Sequence, residues 1–193
     1  MQIFLLVFLF VFIVYFVVKA LVFYKKFNIN PMAFVSSNNS YEFFSWMFLV
    51  AVLAAYVVVI VMFSLGVNLG MIFDFLDYIY SEISGIIILL FGFFVMAVAH
   101  FNMGKEWRMG LDKNRNINLV TSGLFGISRN PVYVGIIIQA FGVFLIIKSL
   151  VSLVLLILLL IAFVLVIYTE ERFLEDKFGR EYLSYKNKVR RFL

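Results

Sequence analysis

The chain has 193 residues, of which 65% are hydrophobic and only 14% are charged. A soluble domain of this length does not need that much apolar side chain, so the composition predicts an all-α integral membrane protein forming a single domain. The formal net charge of +5 comes from basic residues beside the apolar segments, which favours a bias of cytoplasmic loops over nucleic-acid binding. Because the chain has no cysteine and one histidine, disulfides, thiol catalysis and a metal site are not expected.

Three apolar segments of membrane-spanning length occupy the first half of the chain. Residues 3–23 predict a first transmembrane helix rather than a signal peptide, because a basic start and a small-residue cleavage site are missing. Residues 41–67 predict a second helix, and its aromatic-rich start is typical of a membrane interface. Residues 83–101 predict a third helix, with His100 at its end.

A polar stretch containing two glycines precedes the next apolar segment. Gly123 and Gly126 permit backbone conformations with φ > 0. Asn130 and Pro131 predict a helix start, because Asn can cap the first free amides and Pro fits the first turn.

Residues 131–169 are almost entirely apolar and too long for one span, at about 1.5 Å per residue against roughly 30 Å of hydrocarbon. The polar break Lys148-Ser149 therefore predicts a tight hairpin of helix four, 131–147, and helix five, 150–169. The charged tail that follows has one apolar stripe, which predicts a further helix.

The orientation follows from the Lys and Arg residues of each connection. The first connection has two, the second none, the third five and the tail seven. The sequence therefore predicts five transmembrane helices, an external amino terminus and a helical cytoplasmic tail that can meet the third connection.

Charged residues near helix ends are the first candidates for a functional site. Because the hairpin is tight, Arg129 and Glu170 are expected to face each other at one level. An interfacial salt bridge is the competing interpretation of this pair. A transporter would place polar residues in mid-span, where Gln139 and Gly142 are the main candidates.

Four motifs follow one another in the second half of the chain. They are the loop Leu119–Phe125, the run Arg129-Asn130-Pro131-Val132-Tyr133, the pair Glu170-Glu171 and the run Phe178-Gly179-Arg180-Glu181-Tyr182. In this order they resemble the isoprenylcysteine carboxyl methyltransferase family and its relatives, the membrane phospholipid methyltransferases. The resemblance covers about residues 99–189. This chain differs from the family in two places: it has Asn130 where His is usual, and it lacks an Arg near the end of helix five, where Arg172 is nearest.

The resemblance implies S-adenosylmethionine as methyl donor, bound at the cytoplasmic face by about residues 100–135 and 166–193. The implied cofactor-binding residues are His100, Asn118, Leu119, Val120, Phe125, Arg129, Asn130, Pro131, Tyr133 and Glu170. The implied catalytic residues are Arg129, Tyr133 and Glu170.

The implied roles follow the chemistry of the side chains. Val120, Leu124, Phe125 and Pro131 offer an apolar slot for adenine. His100 or Arg129 can hold the cofactor carboxylate, and Glu170 can accept from its ammonium or ribose groups. Tyr133 can lie near the sulfonium.

The acceptor that the resemblance implies is a lipidated molecule that enters from the bilayer. The carboxylate of an isoprenylcysteine is the first choice, and a phospholipid amine is the alternative. A non-catalytic membrane transporter or assembly protein is a further alternative, and no nucleic-acid or metal partner is expected.

Overall fold

A computed structural model of the protein describes residues 1–28, 40–69, 79–107 and 117–192. This part of the chain is helical. Its six α-helices are α1 (Gln2–Phe27), α2 (Ser40–Ser64), α3 (Ile79–Met103), α4 (Pro131–Ile147), α5 (Leu150–Phe178) and α6 (Arg180–Lys188). Two short 3-10 turns lie at Gly104–Glu106 and Gly123–Gly126.

Four of the helices are long and apolar enough to cross a membrane: α1, α2, α3 and α5. The fourth helix of the chain, α4, is also apolar but has only 17 residues. The predicted all-α membrane architecture is therefore confirmed, whereas the count of five spans is not established. Helix α5 continues beyond its expected end at residue 169 to Phe178, because no helix breaker occurs before Gly179.

The predicted hairpin between α4 and α5 is confirmed. Lys148 and Ser149 alone connect the two helices, and Lys148 has a left-handed backbone conformation with φ +54°. Ser149 and Ser152 form a reciprocal capping box that starts α5. The Lys148 ammonium lies 3.2 Å from a carboxylate oxygen of Glu82, which joins the hairpin to α3.

Helices α3 and α4 pack against each other through a glycine seam formed by Gly85, Gly92, Gly135 and Gly142. A methyl group at Gly92 would lie 2.7 Å from the Gly135 carbonyl oxygen, and one at Gly142 would lie 2.7 Å from the Gly85 carbonyl oxygen. Only glycine permits backbones to approach so closely. The transporter candidates Gln139 and Gly142 both belong to this packing, since the buried Gln139 amide donates to the Gly135 carbonyl at 3.2 Å.

The end of the bundle that carries Gly104–Glu106, the loop 117–130 and α6 is called the polar end below. Loop and tail meet there, as the sequence predicted: Ser128 pairs with Arg190 in an isolated parallel bridge. Arg108, Lys113 and Arg115, which contributed to the count of basic residues in the third connection, lie outside the described residues.

Candidate active site

A cavity of about 290 Å³ lies at the polar end, where α3, α4, α5 and α6 meet the loop 117–130. It is called the first cavity below. Its walls include every one of the ten residues that the sequence singled out: His100, Asn118, Leu119, Val120, Phe125, Arg129, Asn130, Pro131, Tyr133 and Glu170. The folded chain therefore brings side chains 70 residues apart in sequence around one space close to the size of a small-molecule site.

The first cavity has two kinds of wall. Polar and charged side chains from the loop and from the ends of α4 and α5 line one part. The other part is an apolar arm whose walls come from α2, α4 and α5, namely Trp46, Leu49, Val50, Leu53, Ile136 and Phe163. A molecule with a polar end and a hydrocarbon tail matches this division.

Tyr133 and Glu170 stand where the two kinds of wall meet. The Tyr133 hydroxyl donates to a Glu170 carboxylate oxygen at 2.9 Å. Its ring packs against Phe163, with 4.8 Å between ring centroids. Because Tyr133 lies in the first turn of α4 and Glu170 near the end of α5, the tight hairpin holds the two side chains at one level.

Arg129 pairs with Glu171, so the prediction that it faces Glu170 is wrong. Its Nη2 lies 2.8 Å from Glu171 Oε1, and its Nε donates to the same oxygen at 3.1 Å. Successive residues of an α-helix point about 100° apart, so only one of the two acids can face the loop. Glu171 faces the loop, and Glu170 faces Tyr133.

The same arginine also holds the tail. Arg129 Nη1 donates to the carbonyl oxygens of Lys186 at 3.0 Å and Val189 at 2.6 Å. On the other side of Glu171, Arg191 Nη2 lies 2.7 Å from Oε2. Arg129, Glu171 and Arg191 together are called the clasp below. The hydrogen bond to Glu171 raises the pKa of Arg191, which remains a cation.

Further hydrogen bonds join the loop to the tail. The Tyr185 hydroxyl donates to the Phe125 carbonyl at 2.7 Å, and burial raises the pKa of Tyr185 to about 12, so the hydroxyl remains a donor at neutral pH. The Arg129 amide donates to the Arg190 carbonyl at 2.9 Å. These contacts keep α6 over the first cavity.

The structure confirms one part of the predicted helix start and corrects another. Pro131 is the first residue of α4, as expected. The Asn130 side chain does not cap the helix, because its Nδ2 donates to the Arg191 carbonyl at 3.0 Å. Asn130 therefore holds the tail instead.

The loop 117–130 is shaped by Gly123, which adopts a backbone conformation that glycine permits, with φ of +63°. A methyl group there would collide with the Asn102 side chain, whose Oδ1 accepts from the Leu124 amide at 3.0 Å. Gly126 permits a positive φ as well, but does not adopt one.

His100 is buried at the end of α3 among aromatic rings. Its Nδ1 lies 3.1 Å from the Tyr15 hydroxyl, and the Trp107 ring is 5.7 Å away between centroids. Lys19 of α1 donates to the His100 carbonyl at 3.3 Å. Helix α1 therefore fixes the ring, which the sequence alone did not indicate.

Glu106 is a site residue that the sequence reasoning missed. It is buried in the wall of the first cavity, and Asn118 Nδ2 donates to its Oε1 at 2.8 Å. The contact crosses a polar connection, where periodicity carries no information on distance. What identifies Glu106 as a candidate site residue is the burial of its carboxylate, which is known only from the folded chain.

Residues 80–181, more than half of the chain, match the family model of phospholipid methyltransferases. The match runs from the start of α3 into α6 and includes all ten candidate residues as well as the glycine seam. No curated protein matches the chain.

Proposed function

The chain belongs to the phospholipid methyltransferase family, and on this premise we propose that it transfers the methyl group of S-adenosylmethionine to an acceptor held in the membrane. The observation that carries the proposal is the Tyr133–Glu170 hydrogen bond at the meeting point of the polar walls and the apolar arm. The arm suits the hydrocarbon part of the acceptor, and the polar walls suit the donor.

The side chains of the first cavity fit the donor. Val120, Phe125 and Pro131 supply apolar surface for adenine, and the acid Glu106 suits the ribose hydroxyls and the ammonium of the donor. Because His100 Nδ1 lies against Tyr15, we propose that its other ring nitrogen meets the donor carboxylate. When bound, S-adenosylmethionine supplies an electrophilic methyl group on a sulfonium, whose positive charge suits this acidic and aromatic surrounding.

The charges of the first cavity favour an amine as acceptor. The Arg129 guanidinium already has two bonds to Glu171 and two to tail carbonyls, so binding an acceptor carboxylate would compete with the clasp. Glu106 and Glu170 would repel such a carboxylate, but they attract an ammonium. A phospholipid amine is therefore the proposed acceptor.

The proposed reaction needs a base, because a protonated amine has no free electron pair. Glu170 takes a proton from the acceptor ammonium, and Tyr133 holds the carboxylate in place through its hydroxyl. The freed nitrogen pair would then take the methyl group that the bound donor supplies, with the electrons of the broken C–S bond left on the donor sulfur. Helix α6 lies over the first cavity with Tyr182 and Tyr185 in its wall, and this cover would limit the access of water and help to align the two reactants.

An isoprenylcysteine carboxylate is the second candidate acceptor. The order of the four motifs favours it, and its nucleophile is already ionised and needs no base. In that case Arg129 would have to exchange part of the clasp for the acceptor.

Methyl transfer to the two acceptors, measured side by side, tests the proposal. The full chain in lipid nanodiscs is given labelled S-adenosylmethionine with phosphatidylethanolamine or with a prenylated cysteine. We expect label in the phospholipid. Label in the prenylated cysteine alone would contradict the proposal that the acceptor is a phospholipid amine. Label in neither molecule would contradict the proposed function.

Trp46 is expected to contribute to acceptor binding. Its indole Nε1 is buried without a hydrogen-bond partner among the described residues, and its ring lines the apolar arm. A buried donor of this kind usually meets an acceptor atom, so we expect it to bind a phosphate or ester oxygen of the lipid. Trp46→Phe should raise KM for the acceptor about fivefold to tenfold, which corresponds to about 1–1.5 kcal/mol.

The donor affinity is the control for this prediction, since Trp46→Phe removes no group from the polar walls. Isothermal titration with the demethylated donor should give the same Kd in both proteins. An unchanged acceptor KM would show that the indole N–H does not contact the acceptor.

We also propose that α4 completes five spans and that the polar end faces the cytoplasm, which the distribution of Lys and Arg supports. The chain has no cysteine, so single cysteines can be labelled cleanly. In intact cells an impermeant maleimide should label Tyr80→Cys, and it should label Lys188→Cys only after permeabilisation. Labelling from the same side, or in the reverse order, would contradict this topology.

A further inference from the structure

A second cavity, of about 480 Å³, lies between the start of α2 and the last turns of α5. It shares no lining residue with the first cavity. Helix α5 separates the two: Glu170 and Glu171 face the first cavity, whereas Arg172 and Asp176 face the second. The second cavity is thus a distinct site on the outer side of this helix.

Both signs of charge line the second cavity in equal number. Arg172 and Lys177 supply two cations, and Glu42 and Asp176 supply two anions. Three of these residues come from the last turns of α5, where Asp176 and Lys177 follow Arg172 by four and five residues, and Glu42 comes from the first turn of α2. Glu42 is only 9% exposed, so the cavity has a carboxylate in its wall rather than at its rim.

Aromatic rings and bare apolar surface surround these charges. Tyr41 and Tyr168 meet edge to face with 6.2 Å between centroids, and the Arg172 guanidinium lies 5.7 Å from the Tyr168 ring. Further along the same two helices, Phe44 and Val164 are exposed. This is the arrangement of an interfacial headgroup site with room for acyl chains beside it.

We propose that the second cavity binds the headgroup of phosphatidylethanolamine. Arg172 and Lys177 match the phosphate, and Glu42 and Asp176 match the ammonium. An anionic headgroup would bring its negative charge to two carboxylates without offering a cation. A choline headgroup has no N–H with which to donate to them. The phosphatidylethanolamine headgroup carries both a phosphate and a primary ammonium, so it can pair with the cations and with the anions of the second cavity.

A lipid bound there would link the start of α2 to the end of α5. It would be retained as a structural lipid and not methylated, because the donor site lies on the other side of α5. The inference uses no residue of the first cavity, and the two proposed lipid sites are told apart by the number of lipids bound.

Native mass spectrometry of the full-length protein tests the inference. The protein is equilibrated in detergent with equal amounts of phosphatidylethanolamine, phosphatidylcholine and phosphatidylglycerol that carry the same acyl chains. We expect phosphatidylethanolamine to be retained over the other two by about fivefold or more, which is about 1 kcal/mol. Because the proposed function also places this lipid in the first cavity, the bound lipids are counted by mass. The double variant Arg172→Gln/Lys177→Gln should hold one phosphatidylethanolamine fewer than the unchanged protein.

Two further variants make the result specific. Arg180→Gln/Lys188→Gln removes the same charges from exposed positions of α6 and should retain the lipid as the unchanged protein does. Asp176→Lys changes the balance in favour of cations and should exchange the additional phosphatidylethanolamine for phosphatidylglycerol. Equal lipid counts in the two double variants, or an Asp176→Lys protein that binds as many phosphatidylethanolamine molecules as the unchanged protein, would overturn the inference. Because the readout is lipid mass, this failure is distinguishable from a failure of methyl transfer.

Discussion

Replacing Glu170 with glutamine is expected to lower kcat for methyl transfer to an amine at least about a hundredfold, because a positioned base contributes about that much or more. The amide oxygen can still accept from the Tyr133 hydroxyl, so the local structure is preserved. It cannot take a proton from the acceptor ammonium.

The measurement is single-turnover methyl transfer with both substrates saturating. Glu181→Gln is the matched control, since it removes the same charge from an exposed position on α6 and should retain full activity. If Glu170→Gln kept more than about a third of the wild-type rate, Glu170 would not be the base of the reaction. The carboxylate acceptor, which needs no base, would then be favoured.

Replacing Glu171 with alanine is expected to destabilise the protein by about 3–5 kcal/mol, because Arg129 is left as a buried charge without its counterion. The Arg129 and Glu171 side chains are 8% and 5% exposed. Losing the carboxylate also releases Arg191, so the tail should leave the loop. Limited trypsin digestion should then cut within residues 186–191 well before it cuts the bundle.

A neighbouring acid on the same helix provides the control for the clasp. Glu175 pairs with Lys186 of the tail at 2.6 Å, but both side chains are about one-third exposed. Glu175→Ala should therefore cost at most about 1 kcal/mol. Equal protection of the tail in the two variants would show that the clasp does not hold it.

Arg129→Lys keeps the charge, but one ammonium cannot replace bonds to a carboxylate and two carbonyls. Most activity should therefore be lost, whether or not Arg129 meets a substrate. Comparing donor affinity with trypsin sensitivity of the tail separates the two causes. A protected tail with weakened donor binding would assign Arg129 to the donor.

The sequence was informative wherever a local pattern decides the structure. Lys148-Ser149 could only be a hairpin between two apolar runs, and Pro131 could only begin a helix. It was uninformative where one turn of a helix decides the outcome. The sequence does not distinguish the adjacent residues Glu170 and Glu171. Their different partners become known only when the direction of each side chain is known.

Contacts with the tail were also beyond sequence reasoning. Asn130 has the chemistry of a helix cap, and nothing local indicates that a carbonyl 61 residues later will take its amide instead. The same holds for Glu106, whose partner lies across a polar connection. Such pairs depend on how the whole chain returns to one end of the bundle.

The glycine seam sets the axial offset between the two helices that carry most of the candidate site. Gly85 meets Gly142 and Gly92 meets Gly135. The two glycines of each helix are seven residues apart, so both contacts form at once between the antiparallel helices. If α3 slid along α4 by one helical turn, about 5.4 Å, larger side chains would replace glycine at contacts that have room only for the backbone. The same offset brings Asn102 beside Leu124 and so fixes the depth of the loop under α3. The dimensions of the candidate site are thus decided in the apolar middle of the bundle, by four residues that have no side chain.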